Sequence, residues 1–225
     1  MVIRVMRESS RIRGIFISYC GGRISTQPSA LEDKTYCPCI RAAHAEIASY
    51  FEAKDTLRND LEKDYVASNR PGYVITETDG ARALRTLRWG FPPPPAAKGP
   101  VVNVRNLTSP FWRTALSKPE RRCLVPATSF SEWSAARNAV GKATLHWFDV
   151  PSRPLFALAG IWRPVDDGGA YAFLTCEPNS LVGAIHPKAM PVILAEDQFA
   201  TWLNADFETI SGLAQPFPSQ LMHMV

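Results

Sequence analysis

At 225 residues with 46% hydrophobic content, the chain is long enough for one sizeable domain and short for two. No apolar run approaches the roughly 20 residues of a membrane-crossing helix, so a soluble protein without membrane contact is expected. A net charge of +4 and a pI near 8.9 are too mild to name a polyanionic partner, so the placement of the charge must decide.

The N-terminal Arg4, Arg7, Arg11 and Arg13, followed by Gly14 to Tyr19, have the outline of a leader. Its apolar core is too short, and Tyr19 is a poor residue for a cleavage site. Five cysteines, an odd number with no secretory signal, point instead to free thiols and a reducing cytoplasmic compartment. Cys37-Pro38-Cys39 with His44 imitates a metal motif, but structural zinc takes four ligands, usually as two pairs, and no second pair follows. Neither a metal nor a cofactor is expected.

Ile47 and Phe51, then Leu57 and Leu61, repeat a four-residue spacing with charged residues between, predicting a helix over 41–64. Pro71-Gly72 reads as the turn that ends it. Strand begins at Tyr73, with a hairpin turn at Asp79-Gly80 and a continuation to Trp89-Gly90. Pro92 to Pro95 offer no ladder donors and form a rigid extended loop; with it, Trp89 and Phe91 would supply a stacking surface for an unpaired base.

In Pro100 to Asn106 an amide and a guanidinium alternate with valines, so Asn103 and Arg105 share one face of a strand and Val102 and Val104 the other. A short helix follows over Ser109 to Leu116. Between Asn103 and Arg122 lie Arg105, Arg113, Lys118, Arg121 and Arg122 against Glu120 alone, a basic window that suits a phosphate backbone. Arg121 to Phe130 is the next strand. It runs on to Glu132, held between Phe130 and Trp133, where poor solvation would raise the carboxyl pKa. Thr144 to Phe148, Leu155 to Trp162 and Tyr171 to Thr175 read as a β meander, with a turn at Asp166 to Gly169. A helix over Pro178 to Ala184 delivers the chain to His186, a residue type that can give or accept a proton. Glu196 to Asn204 is a second amphipathic helix. Many short strands with few helices make the fold α+β.

Asn103-Val104-Arg105, Arg121 to Pro126 leading to Phe130-Ser131-Glu132-Trp133, Phe156 to Trp162, and Ile185-His186-Pro187-Lys188-Ala189-Met190-Pro191-Val192-Ile193-Leu194 together resemble the SRAP family. These are the SOS response-associated peptidases, DNA-damage proteins related to the human abasic-site shield. Arg88-Trp89-Gly90-Phe91-Pro92 and Trp202-Leu203 are similar to the family as well. The resemblance implies a β-rich, barrel-like core with flanking helices over 37–225, and it leaves 1–36 as a divergent extension. It also implies a bacterial cytoplasmic monomer that binds single-stranded DNA, captures abasic sites there and is nucleoid-associated when bound to damage.

By matching motifs, Asn103 would position the sugar and the nucleophile, Glu132 would shuttle protons, His186 would protonate the ring oxygen, and Arg105 would hold a flanking phosphate. Trp89 and Arg113 complete the implied DNA face. The family's nucleophile is an N-terminal cysteine that forms a Schiff base and then a thiazolidine ring, and here the chain departs from the pattern. Its first cysteine, Cys20 in Cys20-Gly21-Gly22-Arg23, resembles the family's opening but lies 31 residues before Phe51 (51 minus 20). Cys37 lies 14 before Phe51 (51 minus 37), closer to the needed spacing, in a context that matches no motif. Either would need proteolysis to expose its amine. Three readings stay open: abasic-site capture, thiol-dependent self-processing, and non-catalytic single-strand binding.

Overall fold

Between Pro71 and Trp89 the chain makes two long strands, the first burying Gly72 to Thr76 in succession and the second burying Leu84, Leu87 and Trp89, joined where Asp79-Gly80 supplies two successive positive φ values, 51° and 74°, as a tight hairpin of the primed type requires. That hairpin anchors the larger sheet. The computed structural model describes residues 17–20, 23–26, 37–61, 66–95, 99–166 and 168–225. The chain divides into two compact units, Met1–Lys34 and Thr35–Val225. In the first, β1 (Ile17–Cys20) and β2 (Arg23–Thr26) pair antiparallel with Cys20 opposite Arg23. The arginines read for a leader, between residues 4 and 13, lie outside the described residues.

The second unit opens with β3 (Cys37–Cys39), α1 (His44–Tyr50) and β4 (Lys54–Asp55), followed by β5 (Pro71–Thr78) and β6 (Ala81–Trp89). Next come β7 (Asn103–Val104), α2 (Pro110–Leu116), β8 (Arg122–Ala127), β9 (Ser129–Arg137) and β10 (Ala143–Asp149). Then follow β11 (Phe156–Arg163), β12 (Ala170–Cys176), α3 (Ser180–Gly183), β13 (Met190–Pro191) and β14 (Ile193–Leu194). The chain ends with α4 (Phe199–Asn204), α5 (Phe207–Gly212) and β15 (His223–Met224).

Strands β8, β5, β6, β12 and β11 pair in a closed ring, because β6 and β12 run parallel with Ala170 opposite Arg88 while the other neighbours are antiparallel. Closure removes two sheet edges and encloses one core. Trp89, Tyr171, Phe173 and Ile75 are fully buried in it. A second sheet, ordered β15-β10-β9-β3, carries Phe130 stacked on Phe148 at 5.3 Å. The fold is α+β with a barrel-like, sheet-rich core, as the sequence pattern and the family resemblance indicated.

Several local expectations change. The helix over 41–64 shrinks to α1, because Glu52 takes φ 51° and the Asp55 carboxylate accepts the Leu57 N–H at 2.9 Å, closing an Asx turn where another helical turn would have formed. Pro71-Gly72 is not a turn but the start of β5. Gly72 is required there for space: a Cβ would sit 2.3 Å from the Tyr171 hydroxyl. The strand over 121–130 is two strands in different sheets, broken at Thr128, whose N–H and hydroxyl both donate to the Cys39 carbonyl. The meander is interrupted as well, since β9 and β10 belong to the second sheet and β11 returns to pair with β8. No helix among the described residues is long and apolar enough to cross a membrane.

Candidate active site

Glu132 is the fourth residue of β9, a strand whose first half is buried. Its side chain is 3% exposed, and burial pushes the carboxyl up to about 9, only partly opposed by the Trp133 backbone N–H. At neutral pH the group therefore holds a proton. Its Oε2 lies 3.4 Å from Nδ1 of His186, and with an uncharged carboxyl this contact is an approach of Oε2 to the ring N–H rather than a pairing of two ions. Oε1 is buried with no hydrogen-bond partner among the described residues.

His186 is presented by α3. Asn179 caps that helix by accepting the Val182 N–H at 2.9 Å, and the His186 N–H closes the last turn on the Val182 carbonyl at 2.7 Å. The adjoining Ile185 carbonyl accepts the Ala135 N–H at 2.9 Å, stitching this loop to β9. The Trp133 carbonyl lies 3.1 Å from His186 Nδ1 and can only accept, so Nδ1 carries the proton and Nε2 holds the lone pair whenever the ring is neutral.

Asn103 sits in the short strand β7, parallel to β12 and opposite Phe173. Its Oδ1 is buried and, like Oε1 of Glu132, has no partner among the described residues. Two buried acceptors without donors are costly unless a ligand supplies them. Val104 fills the opposite face and is fully buried, while Arg105 is exposed at the strand exit and pairs with Glu177, which follows the last residue of β12. Glu177 was not singled out in the sequence; the available signal was an acid directly after a long apolar strand.

The two candidate cysteines are placed differently. Cys20 belongs to the hairpin of the first unit. Cys37 opens β3 and pairs in register with Ser131, one residue from Glu132. Ser131 is fully buried and its hydroxyl lacks a partner among the described residues.

Two expected DNA-face residues are elsewhere occupied. Trp89 is fully buried, stacked on Phe173 at 5.4 Å, with its indole N–H donating to the Val102 carbonyl at 3.3 Å; no ring face is left for a base. Phe91 is buried too. Arg113 lies on α2 with its guanidinium 3.9 Å from the centre of the Phe207 ring on α5, and among the described residues it bonds to none of Asn103, Glu132 or His186. His44, of the apparent metal motif, contacts Asp55 at 2.5 Å, and that hydrogen bond holds the Asp55 carboxyl below its ordinary range.

The sequence model of the SOS response associated peptidase family, SRAP, matches residues 37–225. The chain belongs to the SRAP family. Among curated relatives, the abasic site processing protein YoaM of Bacillus subtilis (strain 168) is 35% identical over 160 residues, covering 65% of this chain and 68% of YoaM. The abasic site processing protein YoqW, of the same strain and of Bacillus phage SPbeta, is 32% identical over 172 residues, covering 70% of this chain and 75% of YoqW. Solved structures share the architecture. A protein from Bacteroides thetaiotaomicron superposes with a TM-score of 0.69 at 22% identity, over 84% of this chain and 90% of that one. A protein from Bordetella bronchiseptica gives 0.68 at 20% identity, over 85% and 99%. The SRAP match begins at Cys37, whose register partner in β9 is Ser131, the residue before Glu132.

Proposed function

We propose that this SRAP chain processes abasic sites in single-stranded DNA by covalent capture through Cys37, once the peptide bond before that residue has been cut. The observation that carries the reading is a buried Glu132 in contact with His186, next in β9 to Ser131, the register partner of the residue where the family match begins. Two buried acceptors without a partner among the described residues, Asn103 Oδ1 and Glu132 Oε1, are suited to the donors of an incoming sugar and amine.

The chemistry runs in three steps. His186 gives a proton to the ring oxygen as the bond from that oxygen to the anomeric carbon breaks, and the anomeric hydroxyl loses its own proton to water, leaving the open deoxyribose aldehyde. The Cys37 amine adds to the carbonyl carbon, and Glu132 protonates the resulting hydroxyl so that water leaves and an imine remains. The Cys37 thiol then adds to the imine carbon while its proton passes to the nitrogen, closing a thiazolidine. Asn103 orients the open sugar, and Arg105 holds the flanking phosphate. While residue 36 is attached, the Cys37 nitrogen is an amide whose lone pair is delocalised, and it forms no imine. The cut that frees it fits the family's peptidase name, with Glu132 as the acid for the departing group.

A denaturing gel tests the reading. A chain made to begin at Cys37 and incubated with an abasic single-stranded oligonucleotide should give a shifted band, and borohydride added early should trap the imine. A chain that binds such strands yet forms no band, even with borohydride, would mark it as a non-catalytic binder.

A further inference from the structure

Arg105 and Glu177 leave the ends of two parallel strands, β7 and β12, side by side. The Arg105 Nη2 donates to Oε1 of Glu177, although the two side chains are 41% and 76% exposed. Backbone pairing already joins these strands, with Phe173 opposite Asn103 and Leu174 opposite Val104, so the pair is not needed to hold them. An exposed ion pair of this kind also adds little to stability. Its consequence is electrostatic: the guanidinium fork that would grip a strand phosphate is already gripping an anion.

A guanidinium presents the same donor geometry to a carboxylate and to a phosphate. We infer that Glu177 is an internal stand-in for a substrate phosphodiester, so that a strand engages Arg105 by anion exchange rather than by filling an empty seat. The inference rests on the reading above that Arg105 meets the strand. It assigns Glu177 a role in specificity. A ligand that brings its own phosphate can displace the carboxylate, whereas an aldehyde sugar without a flanking phosphate cannot and meets a rim whose positive charge is neutralised. Glu177 also sets the salt response. While it is paired, Arg105 holds few solvent anions for a strand to release, and the displaced carboxylate takes up cations instead.

Fluorescence anisotropy of the full chain tests this, using a labelled single-stranded oligonucleotide that carries a tetrahydrofuran abasic analogue, which has no aldehyde. Glu177→Gln is expected to bind about two- to fivefold tighter, with a steeper salt dependence between about 50 and 200 mM. Glu177→Asp, which keeps the charge, should stay near the parent protein. In an Arg105→Ala background the gain from Glu177→Gln should vanish, because the carboxylate would have nothing to mask. An equal gain in that background would show general repulsion and overturn the exchange, as would no gain at all. If the parent binds through Arg105 and Glu177→Gln is silent, the exchange alone fails. If no variant binds the strand, the strand-binding reading fails first and the exchange with it.

Discussion

Replacing Glu132 with Gln isolates the cost of burying this acid. An unfolded chain with an ordinary glutamate releases its proton near 4.5, whereas the folded chain holds it to about 9. Between those values the folded state carries the extra proton, so stability is complete below 4.5 and falls by about 1.4 kcal/mol per pH unit until about 9. Across 4.5 units the ceiling is about 6 kcal/mol, and by pH 7.5 about 4 kcal/mol of it is spent. Relaxation of the surroundings trims the latter to about 2–4 kcal/mol, still a large part of a domain's margin. Glutamine has the shape of the protonated acid and no proton to lose. Urea unfolding of both proteins at pH 5, 7 and 9 should give similar midpoints at pH 5 and a widening gap in favour of Glu132→Gln above it. Parallel pH profiles would refute the burial argument and, with it, the assignment of Glu132 as an acid that already holds its proton at neutral pH.

Other expectations follow from the same geometry. Arg105→Ala should weaken binding to undamaged single strands, read by anisotropy; made in a Glu177→Gln background, where the guanidinium is unmasked, it should also lower the salt slope by about 0.7, and an unchanged slope there would exclude a phosphate contact. His186→Ala should slow adduct formation about 100-fold or more, and Asn103→Ala should slow it too, while both leave strand affinity within about twofold. Equal losses in binding and capture would make them binding residues only. Gly72→Ala drives a methyl to 2.3 Å from the Tyr171 hydroxyl and 3.1 Å from Val66, and should cost about 1–3 kcal/mol by urea unfolding; a smaller change would mean that Tyr171 moves freely.

The sequence pointed to the environment of one candidate side chain better than to the fold's connections. Glu132 between two aromatic residues announced a poorly solvated acid, and burial does raise its carboxyl pKa. The β5–β6 hairpin was legible because its strand-like run from Tyr73 and its Asp79-Gly80 turn are adjacent in the chain. The parallel pairing of β6 with β12 joins Arg88 to Ala170 across 82 positions (170 minus 88), and no local pattern encodes it. That closure carried Trp89 inward: an aromatic beside a proline loop reads as a stacking surface until a strand from the far half of the chain covers it. The helix expected over 41–64 failed because Leu57 and Leu61 kept a helical spacing while Asp55 offered the backbone a better partner. The nucleophile was ambiguous in sequence because neither cysteine has the family's context; strand register, which sequence spacing only approximates, sets Cys37 opposite Ser131, the neighbour of Glu132 in β9.

Intact mass spectrometry of two proteins, the full 24.9 kDa chain and a chain beginning at Cys37, each incubated with an abasic single-stranded oligonucleotide, probes the central claim most directly. The account predicts that the shorter chain gains the oligonucleotide's mass less one water for each imine formed, and that the uncut chain gains nothing. An adduct on the uncut chain, or a Cys37-initiated chain that stays unmodified, would contradict it.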